Sequence, residues 1–529
     1  MIKSFVRTVF SFVKGVVYTS LVVSFVITVP IIIGVLLLPK DESEDNVTAT
    51  RNFPFIGINI LPSKDGQWKK VKTRTGVIVY VPGREAKIKK LIKDNKETVK
   101  IAFFHPFCYT GGGGEKVLWV AIDTILRRYS NFSITIYVKQ TELSKKEILE
   151  KIKNQFNLDI DENRINFVQL LSWKLTVAET YPVVRLLLQN VGAAITGLEG
   201  LIKYRPDIFV ETVGYGYINP IAKLFGCHVV SYVHYPTISD DMIKRVENKV
   251  EDLTNSKTIA SNPILSDLKL IYYKGMLKSY AQVGLYTNSV MTNSTWTYNH
   301  IIKLWKIPKE TTIVYPPCDS SYLSTFDIQN KRERQIMSLA QFRPEKAHHV
   351  QIEAYAKLLE KHPEYRNDPS KFTKLVMIGG CRNEGDEAIV ENLKSLIKKY
   401  DLEKFVTILT NLPYNEVCNY LRTSLIGIHT MKDEHFGISN IEFMASGLII
   451  LSNKSAGPLL DIVVPDENGN KTGFLASTVE EYADSLYEIL EMNEDDIIKM
   501  RTCARNHVLN KFSIDKFEQG FIDGLLKNL

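Results

Sequence analysis

From about residue 98 onward, short apolar runs alternate with amphipathic stretches, the pattern of repeated β–α units. It predicts strands over 99–104, 133–138, 164–169, 207–211 and 228–233, with helices such as 115–128 between them. The stretch 189–204 is unusually apolar for a surface helix and reads as a core helix, with membrane contact as the alternative. The alternation breaks at 311–334, which holds Pro316-Pro317 and the charged run 331–334, and this segment reads as a linker. It then resumes, with strands over 335–341, 374–379, 406–409, 424–429 and 448–451 and helices such as 349–361. Units of this kind build parallel, doubly wound sheets. The expected fold is α/β, with Rossmann-like domains at 98–310 and 335–512 facing a cleft, and a last helix over 513–529 packing back on the first domain.

The N-terminal pattern differs. Residues 15–38 carry no charge and are mostly Val, Ile and Leu. That run of 24 residues exceeds the roughly 20 needed to cross a bilayer, so residues 1–40 read as a transmembrane anchor. A cleaved signal peptide is the alternative, but Pro39-Lys40-Asp41-Glu42 follows instead of small residues. Lys3, Arg7 and Lys14 precede the run, and Asp41, Glu42, Glu44 and Asp45 follow it, a bias that would place the body in a lumen. Sequons at Asn46, Asn131, Asn293, Asn453 and Asn470 agree with that side, whereas six scattered cysteines without a CxxC pair suit a reducing one. Residues 41–97 form a basic, membrane-proximal segment. Within it Ile88, Leu91 and Ile92 keep helical spacing beside Lys87, Lys89, Lys90 and Lys93, as a solvated helix face or one lying on anionic lipid.

A chain of 529 residues calls for more than one core. Its 66 basic and 59 acidic residues leave a diffuse charge of +7, with no zinc spacing or arginine-rich arm, so nucleic acid is excluded as a partner.

Four stretches carry candidate chemistry. In 433–447, DEHFGISNIEFMASG, Glu434 precedes a helix and Glu442 lies on its second turn, with Gly437 in the turn between. Helix N-termini favour negative charge. Two carboxylates there therefore call for a counterweight, such as a polyhydroxylated ligand. In 103–119, FFHPFCYTGGGGEKVLW, four glycines between strand and helix allow close approach of backbone to a phosphate or sugar. No Walker sequence or dinucleotide fingerprint accompanies them. His234 follows a strand within SYVHYPTIS, on the cleft side, and Arg343 and Lys346 in QFRPEKAH offer two cations to a leaving diphosphate. The set suits a sugar nucleotide. No Asp-x-Asp clamp is evident, so the cations can replace a metal, and no metal or other cofactor is expected.

The spacing within EHFGISNIE resembles the retaining GT-B glycosyltransferases of the large mannosyl- and glucosyltransferase family (glycosyltransferase family 4). HPFCYTGGGGEKVLW, YVHYPTIS, NSTWTYNHI, VYPPCD, QFRPEKAH and MIGGCRNEGDE, in this order, are similar to its branch that extends dolichol-linked glycans with α-1,2-mannose. The resemblance implies GDP-mannose as donor and dolichyl-diphosphate Man3GlcNAc2 as acceptor, receiving its fourth and fifth mannoses. It also implies a single-pass protein of the endoplasmic reticulum membrane with cytosolic catalytic domains, alongside other mannosyltransferases of the pathway. By the same likeness Glu434 faces the donor mannose and His234 the reacting sugar, both as catalytic residues. Arg343 and Lys346 hold the diphosphate, Glu442 the ribose, and Gly112, Gly113 and Gly114 close over the donor, with Phe436, Gly437 and Ile438 also binding it. Another donor or acceptor on the same fold, or a non-catalytic membrane scaffold, are the alternatives.

Overall fold

Two parallel sheets position the candidate residues. A computed structural model of the chain describes residues 68–72, 78–82, 85–94, 97–181, 184–249 and 257–529. A short antiparallel hairpin, β1 (Trp68–Lys72) and β2 (Ile78–Pro82), precedes the sheets. The first sheet comprises β3 (Val99–Phe104), β4 (Phe132–Lys139), β5 (Ile165–Leu170), β6 (Ile208–Glu211), β7 (His228–Val233), β8 (Ser289–Thr292) and β9 (Thr311–Ile313). Its order is β5-β4-β3-β6-β7-β8-β9. The second comprises β10 (Glu333–Leu339), β11 (Lys374–Gly379), β12 (Val406–Thr410), β13 (Ser424–His429), β14 (Ile449–Asn453) and β15 (Phe474–Ala476), in the order β12-β11-β10-β13-β14-β15. Central strands such as β7 and β13 are buried along their whole length, as helices on both faces require.

In each sheet the chain starts in the middle, winds outward, then returns to the other side. The reversals fall between β3 and β6 and between β10 and β13. Ligand crevices open at the carboxyl ends of strands at such points. Both reversals face the cleft between the domains.

The chain crosses between domains twice, with Cys318 bridging Ser513 where the crossings run side by side. After the second crossing the helix Ile514–Leu526 joins the first domain. Phe517, Phe521 and Leu525 enter the cluster that holds Ile101, Trp119 and Ile134. Ser289 Oγ donates to Gly524 O at 2.6 Å, and Arg127 pairs with Glu518 at 2.5 Å.

One sequence expectation falls outside the described residues, and two change. The apolar run 15–38 lies outside the described residues, and among those described no helix is long and apolar enough to cross a membrane. Ile88 of the helix Glu85–Asp94 is buried, and Leu91 and Ile92 pack against the first domain's core. That apolar face is therefore not available to lipid, while Lys89, Lys90 and Lys93 are exposed. Residues 311–313 of the expected linker form strand β9, pairing with β8.

Candidate active site

Glu434 sits in the loop between β13 and the helix Ile438–Ser446. Gly437 starts that helix at φ +98°, where a Cβ would lie 2.7 Å from Asn440 Nδ2 and 3.1 Å from Glu434 Cγ. Only glycine takes this position without strain. No side chain caps the helix start, and an uncapped start of this kind suits an anion.

The counterweight to Glu434 comes from the protein rather than from a ligand. Lys346 Nζ lies 2.6 Å from Glu434 Oε2, and His429 Nε2 lies 3.1 Å from the same oxygen. His429 Nδ1 accepts from Met431 N, so Nε2 carries the proton and donates. Burial would raise the Glu434 carboxyl, but the His429 hydrogen bond and the Lys346 charge outweigh it and hold it well below the usual range. Both partners occupy Oε2, and Oε1 makes no hydrogen bond to a described residue. Arg343 is exposed, and among the described residues its guanidinium has no ion pair.

Glu442, two turns into the cleft wall, has the opposite electrostatics. Burial pushes its carboxyl up to about 7, with Lys116 opposing the rise and Asp319 adding to it. The two glutamates of one motif are therefore in different protonation regimes.

Across the cleft, the glycine loop enters the helix Gly113–Arg128. A Cβ on Gly113 would lie 3.3 Å from Ile438 Cδ1, so two helix starts meet there. Glu115 folds back on the loop, accepting from Gly112 N at 2.6 Å and from Thr110 Oγ1 at 2.7 Å. Burial would raise Glu115, but the hydrogen bonds from His105 and Thr110 bring it down to about 2. His234 lies beside this loop, its Nε2 3.7 Å from where a Cβ on Gly114 would be. That nitrogen is buried and has no hydrogen-bond partner among the described residues. Burial, with His105 nearby, lowers the imidazole to about 4, so it is neutral at pH 7.

Both neighbours of Glu434 reach the other domain. Asp433 Oδ2 accepts from Arg245 at 2.6 Å. The His435 ring stacks on Tyr235 at 4.2 Å and on Trp296 at 5.2 Å. Below them Asp461, fully buried, accepts from Thr295 N at 2.8 Å and from Tyr315 OH at 2.8 Å. Among the described residues, no three His, Cys, Asp or Glu side chains gather as a metal ion would need.

A family model described as the ALG11 mannosyltransferase N-terminus matches residues 98–305, and one described as glycosyl transferases group 1 matches residues 325–506. Two proteins named GDP-Man:Man(3)GlcNAc(2)-PP-Dol alpha-1,2-mannosyltransferase are similar over nearly their whole length. That of Homo sapiens is 41% identical over 448 residues, covering 84% of this chain and 90% of its own. That of Xenopus laevis is 42% identical over 434 residues, covering 81% and 88%. The chain belongs to this mannosyltransferase family. Among solved structures, Anabaena Alr3699/HepE in complex with UDP and glucose is 15% identical with a TM-score of 0.53, covering 82% of this chain and 100% of its own. That likeness concerns the GT-B fold alone.

Within this mannosyltransferase frame the cleft gathers Glu434, Lys346, Ile438, His234 and the glycines. Phe436 is the exception. It is buried between Tyr315 and Phe512, 5.8 and 5.5 Å between ring centres, so its side chain is core rather than a donor contact. His429, Glu115, Arg245 and Asp461 were not anticipated. His429 had a signal, a polar residue closing an otherwise apolar buried strand, and Gly112-x-x-Glu115 has the spacing of a capping box.

Proposed function

We propose that the protein transfers mannose from GDP-mannose, with retention, to dolichyl-diphosphate-linked Man3GlcNAc2, adding the fourth and fifth mannoses in α-1,2 linkage at the cytosolic face of the endoplasmic reticulum. The names of its relatives give that donor, acceptor and α-1,2 linkage. The observation that carries the reading in the site itself is Glu434, held ionised through one oxygen while the other is left for a sugar hydroxyl.

In this reading Arg343 and Lys346 neutralise the diphosphate as charge builds on it. The uncapped start of the helix Ile438–Ser446 adds its partial positive charge. Glu442 takes the ribose hydroxyls, and Gly112–Gly114 lie over the donor. His234 presents its unpartnered nitrogen to the reacting sugar. The bond from the sugar's anomeric carbon to phosphate breaks, the bond to the acceptor oxygen forms on the same face, and the acceptor proton passes to the departing phosphate. No enzyme nucleophile or metal is required.

The test is transfer from GDP-mannose to lipid-diphosphate-linked Man3GlcNAc2, with chelator present and UDP-glucose as control donor, read by mass spectrometry and α-1,2-mannosidase digestion. Two added hexoses, both removed by the mannosidase, are expected. No addition by folded protein, or equal use of UDP-glucose, would overturn the assignment.

A further inference from the structure

A second group of side chains lies on the first domain, just outside the glycine loop. Lys139 closes β4, and its backbone N–H donates to Pro106 O at 2.9 Å, which fixes it against that loop. Its ammonium sits 5.5 Å from the Phe107 ring, 5.3 Å from Tyr109 and 5.6 Å from Trp173. Phe107 and Trp173 meet edge to face at 6.2 Å. Among the described residues Lys139 has no carboxylate within ion-pair distance. A second ammonium, Lys151, lies 5.8 Å from the other contact ring, Tyr109. All three rings and Lys139 are half-buried, with surface still open to a ligand. Ring faces attract the cation but do not neutralise it. Two such cations, sharing the Tyr109 ring, suit a diphosphate, and the ring faces suit the apolar side of a sugar or an isoprenoid.

The group continues outward into aliphatic surface. Leu171, two residues before Trp173, is 64% exposed, and Ile195 and Ile202 on the helix Arg185–Lys203 are 38% and 54% exposed. Glu199 ties the three together. Its carboxylate accepts from Leu171 N at 2.8 Å and from Ser172 N at 2.9 Å, and it pairs with Lys203 at 2.6 Å. Its charge is thus turned inward, leaving aliphatic side chains outward. Exposed aliphatics next to a cluster of cations and rings together suit one occupant, a prenyl diphosphate.

We infer that Lys139, with Phe107, Tyr109 and Trp173, binds the diphosphate and first sugar of a lipid-linked acceptor, and that Leu171, Ile195 and Ile202 receive its isoprenoid chain. This rests on the acceptor class proposed above. The site is separate from Arg343 and Lys346, which belong to the second domain, so one diphosphate is held on each side of the cleft.

The test uses full-length, detergent-solubilised protein and farnesyl diphosphate, titrated calorimetrically with GDP saturating so that the donor side is filled. Farnesyl diphosphate should bind, and Lys139→Met should weaken it by roughly tenfold or more, the scale of a lost charge-assisted contact. Ile195→Ser/Ile202→Ser should weaken farnesyl diphosphate but not inorganic pyrophosphate, which separates the chain from the phosphates. GDP affinity, unchanged in every variant, reports that each is folded. Absence of binding to the wild type, or equal binding by Lys139→Met, would overturn the inference. Binding as expected without any mannose transfer would instead overturn the proposed reaction and leave this site standing as a prenyl-diphosphate site.

Discussion

Glu434 and Glu442 share a nine-residue stretch and differ in charge because of what long-range folding brings to each. Glu434 gains Lys346 from 88 positions earlier in the chain. Glu442 gains burial, with Lys116 from the other domain as its nearest relief. A carboxyl raised to about 7 in the fold and near 4.5 when unfolded binds its proton more tightly in the folded state. Its stabilising contribution is therefore present at acid pH and lost as pH rises through 7. Melting temperature should fall as pH rises from about 4.5 to about 7 and level off above, and Glu442→Gln should flatten that fall. If ribose hydroxyls need the ionised form, KM for GDP-mannose should drop as pH rises through about 7 in the wild type and stay level in the variant. Thermal melts and donor titrations at three pH values check both. The glutamates were legible in the sequence because they share a motif. Their partners were not, because residue types at distant positions say nothing about which strand ends will meet.

At the scale of elements, long buried strands declared themselves. The runs 228–233, 374–379 and 424–429 are the observed β7, β11 and β13. Among the strands that no apolar run predicts, β8, β9 and β15 have four, three and three residues, too few for a period to emerge. The apolar stretch 189–204 reads as a core helix, and the observed helix Arg185–Lys203 buries ten residues, yet Ile195 and Ile202 face outward. Apolar content alone does not tell a core face from a binding face. The turn at Gly437 joins an element to its chemistry, since a Cβ there would clash with Asn440 Nδ2 and crowd Glu434 Cγ. Gly437→Ala should cost about 1–3 kcal/mol from the left-handed backbone. It should also lower turnover by more than that loss of stability explains, as a melt compared with kcat at a temperature where both proteins are folded would show.

At the scale of the whole molecule, the loop bearing Glu434 is clamped on both flanks by the opposite domain, through Arg245 to Asp433 and Tyr235 to His435. The arrangement of the loop therefore depends on how the domains sit together. Arg245→Ala should raise KM for GDP-mannose by roughly fivefold, about 1 kcal/mol for a half-exposed pair. It should also enlarge the radius of gyration in small-angle scattering, with GDP-mannose restoring the wild-type value. An unchanged radius and KM would count against the clamp. The last helix binds the two domains in another sense. Phe517, Phe521 and Leu525 complete the core of the first domain, whose earliest strand begins at Val99. On the ribosome Phe517 is made 418 positions after Val99, once the second domain has been translated. The first domain to be translated is thus the last to be sealed, and during elongation it must keep an apolar groove open beside Trp119 and Ile134. Early termination anywhere in the final helix would strand that groove, giving the cell's quality control a ready mark of an unfinished chain.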